Sequence, residues 1–179
     1  MTTFINILTL SRIFLAALIF ILLTSPDGYF LALLLFFLAG ITDYFDGYFA
    51  RRYNATSQLG EILDPIADKI LILFVLFGIA INLSSYLIGF IGASIITREI
   101  WVGALRDLNA RVGNNDATKV TFLAKIKTTI QLFTISIYLF GLVINNMLII
   151  VLADIFLFIS LFITLYTGLI YTINTFKFK

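Results

Sequence analysis

The chain has 179 residues, of which 61% are apolar and only 12% carry a charged side chain. An average soluble domain carries about 25% charged residues, so this composition is typical of a membrane protein. The net charge of +2 is small and the basic residues are scattered, which argues against nucleic-acid binding. The absence of Cys and His excludes disulfides, thiolate chemistry and the usual general base.

Apolar segments near the ~20 residues needed to cross a bilayer recur along the whole chain. Their breaks predict an all-α polytopic membrane protein with six transmembrane helices, in residues 5–24, 29–50, 61–82, 86–107, 121–144 and 148–172. The first segment lacks the flanking features of a signal peptide, so we expect a retained helix. No polar stretch is long enough for a second domain, and residues 1–179 are predicted to form a single membrane domain.

The distribution of charge predicts an orientation. Six spans place all twelve Lys and Arg residues, Arg12 included, on one side, and Asp27 and Asp154 are the only charges on the other. The positive-inside bias therefore predicts cytoplasmic termini and cytoplasmic loops near residues 53 and 115. A short chain of this kind suits a bacterial inner membrane. We interpret four of the basic residues as topology anchors that reach the interface, namely Arg52, Arg111, Lys177 and Lys179.

Two acidic stretches carry the strongest chemical signal. Positions 43, 46, 47 and 50 fall on one face of a helix and hold two Asp, a Gly and an Ala; positions 60, 64 and 68 repeat the pattern with a Gly and two Asp. The connecting loop, near Tyr53 to Ser57, is short, so the two helices are expected to be antiparallel neighbours. Four aspartates would then converge on the cytoplasmic side.

Convergent carboxylates need cations, because like charges repel and each is costly to desolvate. Ligands that are all oxygen indicate Mg²⁺ or Mn²⁺, with a two-metal site as one arrangement, and argue against zinc. Gly47, Ala50 and Gly60 have two interpretations, close helix packing or room for a nucleotide, and their fixed spacing from the aspartates favours the second. Pro65 is expected to start or bend the second helix.

The complete pattern, D-x2-D-G-x2-A-R-x8-G-x3-D-x3-D from Asp43 to Asp68, resembles the signature of the CDP-alcohol phosphatidyltransferase family at every defined position. The resemblance implies a six-span, dimeric enzyme whose aspartates hold divalent metals, two in our interpretation, against the pyrophosphate of a CDP-linked lipid. It implies metal ligation by Asp43, Asp46, Asp64 and Asp68. It implies nucleotide contacts at Asp43, Asp46, Gly47, Ala50, Arg51 and Gly60, with Asn6 and Thr9 from the front of the chain.

The resemblance also implies proton abstraction by Asp68. The acceptor hydroxyl must lose its proton as it attacks phosphorus, and in a chain without His a carboxylate is the best general base.

Three further stretches, 6–12, 97–106 and 125–131, resemble the phosphatidylglycerophosphate synthase branch of that family. This implies CDP-diacylglycerol as donor and sn-glycerol 3-phosphate as acceptor. The phosphate of the acceptor would bind to a basic set, Arg98, Arg106, Lys125 and Lys127. For Arg98, a structural ion pair with Glu99, Asp107 or another acid is an equal alternative, because an unpaired guanidinium inside a span is expensive.

Two alternatives stay open at this point. Within the family, the acceptor could be phosphatidylglycerol, inositol phosphate or serine. In another class, intramembrane carboxylates also line the pathways of small cation transporters. A pathway needs polar groups across the bilayer, however, and nearly every charge here lies in the cytoplasmic half.

Overall fold

The computed structural model describes residues 2–53, 58–119 and 122–177. The side chains of five predicted site residues lie outside the described set, namely Asn6, Asp46, Ala50, Arg51 and Lys125, as do residues 54–57 of the predicted cytoplasmic loop. The described residues form six long helices: α1 Thr2–Leu22, α2 Tyr29–Tyr53, α3 Gln58–Asn82, α4 Tyr86–Arg111, α5 Phe122–Val143 and α6 Met147–Phe176. Short 3-10 turns lie at Pro26–Gly28 and Asn115–Thr118.

Turns separate α3 from α4 and α5 from α6 at the polar breaks that the sequence predicted. Ser85 caps α4 by accepting from the backbone N–H of Ile88, and Asn146 caps α6 by accepting from that of Leu148. The preceding Ser84 and Asn145 adopt positive φ, which lets the chain reverse within three residues. Pro65 lies inside α3, so the helix starts before it. Of the two expectations for Pro65, the one that it starts the helix was wrong, because α3 begins at Gln58 and continues through Pro65 with one backbone hydrogen bond missing.

The helices pack as a closed ring in the order α1, α3, α4, α6, α5, α2, and α3 also touches α5 across it. The apolar core lies between α1, α3 and their neighbours and includes Ile19, Val75 and Ile79. Polar side chains are also buried, among them Arg12 and Arg98, while large apolar side chains such as Phe14 face outward. An apolar exterior around a partly polar interior is the pattern expected for a protein in lipid.

Within the described residues, four segments are long and apolar enough to cross a membrane: Pro26–Phe45, Tyr86–Arg111, Phe122–Val143 and Met147–Phe176. The α1 helix adds a shorter apolar stretch, Ile7–Leu22. The prediction of an all-α polytopic membrane protein is therefore confirmed.

Candidate active site

The aspartate cluster lies where α2 ends and α3 begins. Both acidic stretches are helical, as their spacing predicted, so Asp43 lies on α2 and Asp64 and Asp68 lie on α3. These three carboxylates meet at the guanidinium of Arg12 from α1. Arg12 Nη1 donates to Asp43 Oδ1 and, over 2.6 Å, to Asp68 Oδ1; Nη2 donates to Asp64 Oδ1 over 3.2 Å. Three helices thus assemble one charged cluster.

Arg12 is the component of this cluster that sequence reasoning missed. Its side chain is completely buried, whereas the three carboxylates are about half exposed. The charge pattern of the sequence places Arg12 with the basic residues of the predicted cytoplasmic side and indicates no partner for it. The signal that could have identified its role is its position inside an apolar helix, where a guanidinium needs an acid, with the four aspartates predicted on the same side.

Three of the nucleotide residues predicted from the resemblance lie near the same cluster, namely Thr9, Gly47 and Gly60. Thr9 is buried and its Oγ1 donates to Asp64 Oδ1 over 2.7 Å. Thr9 and Arg12 are three residues apart on α1, so both face the acids. Gly60 is buried one turn before Asp64, and Gly47 is partly buried one turn after Asp43. Small residues at these positions leave the carboxylates accessible.

The donor set fits a hard divalent cation, since it consists of carboxylates in a chain that lacks Cys and His. Among the side chains that the structure describes, no three acids already stand at metal-ligand distances from a common point. The guanidinium of Arg12 lies between Asp43, Asp64 and Asp68, and the side chain of Asp46 is not described. The chemistry of the donors therefore fits the ion, and the carboxylates would exchange contacts with Arg12 for contacts with a metal.

A cavity of about 410 Å³, lined by both apolar and charged side chains, adjoins the cluster through Asp68. Besides Asp68, its charged and amide lining consists of Lys69, Arg98, Glu99, Arg106, Lys127 and Gln131. Three of the four predicted acceptor-binding residues are therefore brought together here, and the side chain of the fourth, Lys125, is not described. Asp68 is the residue that belongs to both the carboxylate cluster and the cavity.

Glu99 organises the cations of this cavity. Its Oε1 accepts from Arg98 Nη1 over 2.7 Å and from Lys127 Nζ, and its Oε2 lies 4.0 Å from Lys69 Nζ. The ion pair between Arg98 and Glu99 is one of the structural alternatives weighed from the sequence. Arg98 nevertheless lines the cavity, so pairing and ligand contact are compatible. Arg106 is exposed and makes no ion pair with the described side chains.

An apolar groove follows the seam between α2 and α5, and its lining includes Tyr44, the residue after Asp43 in the chain. Its first part, about 420 Å³, is lined by Gly40, Tyr44, Phe45 and Leu71, among others. A second part of about 630 Å³ continues along α5 and α6 and shares Phe37 and Ser136 with the first. The Ser136 hydroxyl donates to Leu132 O of its own helix over 3.0 Å, so its donor is satisfied within the helix.

Comparisons with known proteins identify the family of this chain. A profile of CDP-alcohol phosphatidyltransferases matches residues 2–167. The chain is 40% identical over 171 residues to a Rickettsia bellii protein, covering 93% of this chain and 91% of the relative. It is 34% identical over 133 residues to an Escherichia coli K12 protein, covering 73% of each.

A relative from Blochmanniella floridana is 45% identical over 105 residues, covering 59% of this chain. In that comparison the chain spans 55%, about half, of the relative's length. All three relatives carry the name "CDP-diacylglycerol--glycerol-3-phosphate 3-phosphatidyltransferase". Members of the matched family use divalent metals. The match over residues 2–167 shows that this integral membrane protein belongs to the CDP-alcohol phosphatidyltransferase family.

Proposed function

We propose that the chain transfers the phosphatidyl group of CDP-diacylglycerol to sn-glycerol 3-phosphate, forming phosphatidylglycerophosphate and CMP. The observation that carries the proposal is the position of Asp68, which joins the carboxylate cluster to a cavity lined by Arg98, Arg106 and Lys127. A donor pyrophosphate at the cluster and an acceptor phosphate in the cavity would meet beside one carboxylate. The names of the relatives support this choice of donor and acceptor.

The chemical step needs one bond to form and one to break. The acceptor hydroxyl oxygen bonds to the phosphorus that carries diacylglycerol, and the bond from this phosphorus to the CMP oxygen breaks. The hydroxyl proton passes to a carboxylate oxygen of Asp68, which acts as general base. Because phosphoryl transfer depends chiefly on positioning and on neutralising charge, the main task of the residues around Asp68 is to hold donor and acceptor beside it.

Four aspartates would hold the metal, in our proposal two ions of Mg²⁺ or Mn²⁺: Asp43, Asp46, Asp64 and Asp68. When bound, the ions neutralise charge on the pyrophosphate oxygens of the donor. Around them, the proposed nucleotide contacts are Asp43, Asp46, Gly47, Ala50, Arg51, Gly60, Asn6 and Thr9. The observed bond from Thr9 to Asp64 supports a role for Thr9 in holding this carboxylate toward the donor.

The acceptor phosphate would bind the cationic lining of the cavity. Arg106 is the most accessible member, whereas Arg98 and Lys127 are buried and already paired with Glu99. We propose Lys125 as a further contact from its position on α5. A planar guanidinium suits phosphate because it donates two parallel hydrogen bonds. A phosphorylated acceptor also explains why several cations gather beside Asp68.

The lipid donor would approach sideways from the bilayer. The apolar groove between α2 and α5 starts at Tyr44, next to Asp43, and reaches Leu33 on the same helix. Eleven residues of helix rise roughly 16 Å, about half of the ~30 Å hydrocarbon core. One acyl chain of the donor can therefore lie along the groove within a single leaflet while the CDP head reaches the carboxylates.

The positive-inside bias supports a site that faces the cytoplasm, and the bacterial relatives support a bacterial inner membrane. A homodimer is proposed from the family resemblance alone. The experiment below also tests the other candidate acceptors, which are phosphatidylglycerol, inositol phosphate and serine.

The test is CMP release by purified protein supplied with CDP-diacylglycerol and Mg²⁺. Release with sn-glycerol 3-phosphate and with no other acceptor supports the proposal. Release with inositol phosphate, serine or phosphatidylglycerol instead would retain the family chemistry and overturn the proposed acceptor. If no acceptor leads to CMP release, the proposed activity is contradicted and the alternative of a small cation transporter is favoured.

A further inference from the structure

Arg98 lies at the seam between α4 and α6 and is only 7% exposed. Its side chain forms part of the cavity that we propose for the acceptor phosphate. Because so little of this guanidinium contacts solvent, its hydrogen bonds to protein groups must determine the direction in which its N–H groups point.

Those contacts come mainly from α6. Arg98 Nε donates to the backbone oxygen of Thr164 over 3.0 Å, and Nη2 donates to Thr167 Oγ1 over 2.7 Å. Nη1 donates to Glu99 on its own helix. A guanidinium has five N–H donors in a rigid fork, so three contacts with protein determine where the remaining donors point.

Gly168 provides the space for this arrangement. A Cβ atom added there would lie 3.0 Å from Cγ and 3.3 Å from Nε of Arg98, tighter than ordinary carbon contacts. The arginine stem could not easily withdraw, because it is buried and its head is held by three hydrogen bonds. Thr164, Thr167 and Gly168 share one face of α6 through i, i+3 and i+4 spacing. This face of α6 therefore both bonds the guanidinium of Arg98 and leaves room for its stem.

The effect extends beyond Arg98. Glu99 Oε1 accepts from both Arg98 and Lys127, so a displaced Arg98 would also change the partner that holds Lys127. The aspartate cluster is assembled differently, since its described contacts come from Thr9 and Arg12 of α1. A substitution on this face of α6 should therefore disturb the acceptor cavity and leave the aspartate cluster unchanged.

We infer that Gly168 and Thr167 are positioning residues for the acceptor site and act through Arg98. The inference rests on the proposed function, because it assigns the cavity to the phosphate of the acceptor. Neither residue is a catalytic residue. The α6 helix would fix the arginine fork, and the fork with Glu99 would fix Lys127.

The first experiment measures KM for sn-glycerol 3-phosphate and for CDP-diacylglycerol in two pairs of variants. Gly168→Ala should raise the acceptor KM about tenfold, the cost of one misplaced charge-assisted hydrogen bond, without changing the donor KM. The matched control is Gly103→Ala on α4, where a Cβ meets no atom within 4 Å and both constants should stay unchanged. Thr167→Val should act like Gly168→Ala, and Thr167→Ser, which keeps the hydroxyl, should restore wild-type values.

A double-mutant cycle tests whether Arg98 is the intermediary. In an Arg98→Lys background, which lacks the guanidinium fork, Gly168→Ala should produce little further rise in the acceptor KM. An equal rise in both backgrounds would overturn the inference, as would equal changes in the donor and acceptor constants. Should Gly168→Ala not yield folded protein, the pair Thr167→Val and Thr167→Ser carries the same test.

Calorimetric binding of inorganic phosphate separates this inference from the proposed activity. The Kd should rise about tenfold in Gly168→Ala and Thr167→Val and stay constant in Gly103→Ala. This result supports the positioning role even if sn-glycerol 3-phosphate is not turned over, which would contradict only the proposed acceptor. Unchanged phosphate affinity in the α6 variants, or no phosphate binding by the wild type, would overturn the inference.

Discussion

Arg12 Nη1 lies 2.6 Å from Asp68 Oδ1, although 56 positions separate the two residues in the chain. The buried guanidinium joins α1 to the end of α2 and the start of α3 through the same contacts. The cation thus holds Asp43, Asp64 and Asp68 together. The carboxylate cluster has its own counter-charge before any metal arrives.

Replacing Arg12 should destabilise the protein most when metal is absent. In Arg12→Gln the acids lose a buried partner, but the carboxylates themselves are about half exposed. The loss should therefore lie between the roughly 1 kcal/mol of an exposed pair and the roughly 3–5 kcal/mol of a fully buried one. Added Mg²⁺ should recover part of this loss, because a ligand that binds only the folded state stabilises it by mass action. Thermal unfolding in detergent, with and without Mg²⁺, measures both effects.

Arg111→Gln is the matched control for Arg12→Gln. Its ion pair with Asp107 is exposed and links neighbouring turns of α4. Such a pair contributes less than about 1 kcal/mol to the free energy of unfolding. Similar losses in the two variants would contradict the role of Arg12 as the central cation.

Asp68→Asn should abolish turnover while leaving folded protein. The amide cannot accept the proton of the acceptor hydroxyl, and loss of a general base typically slows a reaction by about 100-fold or more. CMP release is the measurement, and size-exclusion chromatography checks the fold. The same chemical change at the exposed Asp27, in the turn between α1 and α2, should have no effect. Near-normal turnover in Asp68→Asn would remove Asp68 as the base.

Arg106→Ala should raise the KM for the acceptor about tenfold and leave the donor KM unchanged, since one charged hydrogen bond to phosphate is lost. Arg106 is exposed and lines the cavity beside Asp68, so folding should not suffer. Arg111→Ala, on the same helix but outside the cavity lining, is the control. If both substrate constants change equally, Arg106 has a structural role.

Gly40→Phe should obstruct the groove between α2 and α5. A Cβ at Gly40 meets no atom within 4 Å, so a larger side chain projects into open space. Excluding about two methylene groups of an acyl chain should raise the KM for a long-chain donor about tenfold. The acceptor KM should stay constant.

Ala93→Phe is the control for Gly40→Phe, because Ala93 lines a different apolar groove, between α4 and α6. An equal rise in donor KM in both variants would mean that bulk on the lipid-facing surface, and not this groove, affects the donor.

Chelation should stop the reaction. The donor set consists of carboxylates, which bind hard divalent ions, and the charge of the pyrophosphate needs neutralising in the transition state. CMP release should vanish in EDTA and return with excess Mg²⁺ or Mn²⁺. Activity that is indifferent to EDTA would contradict the proposed metal site.

Hydropathy located the helices well, and its errors lie mostly on one side. The predicted ends at residues 50, 107 and 172 lie three to four residues short of the observed ends at Tyr53, Arg111 and Phe176. These ends belong to the predicted cytoplasmic side, where charged residues follow the apolar run. Hydropathy detects the change from apolar to polar side chains, whereas backbone hydrogen bonds continue into the polar region.

The sequence by itself determined the membrane class, the helical architecture and the faces that carry the aspartates, because composition and helical spacing are local properties. Only the tertiary structure decided the partners of Arg12 and Arg98. Each arginine contacts residues more than 50 positions away, and several acids or hydroxyls were available to each. Helix packing selected among them, since a buried guanidinium must bond to whatever neighbouring helices bring within reach.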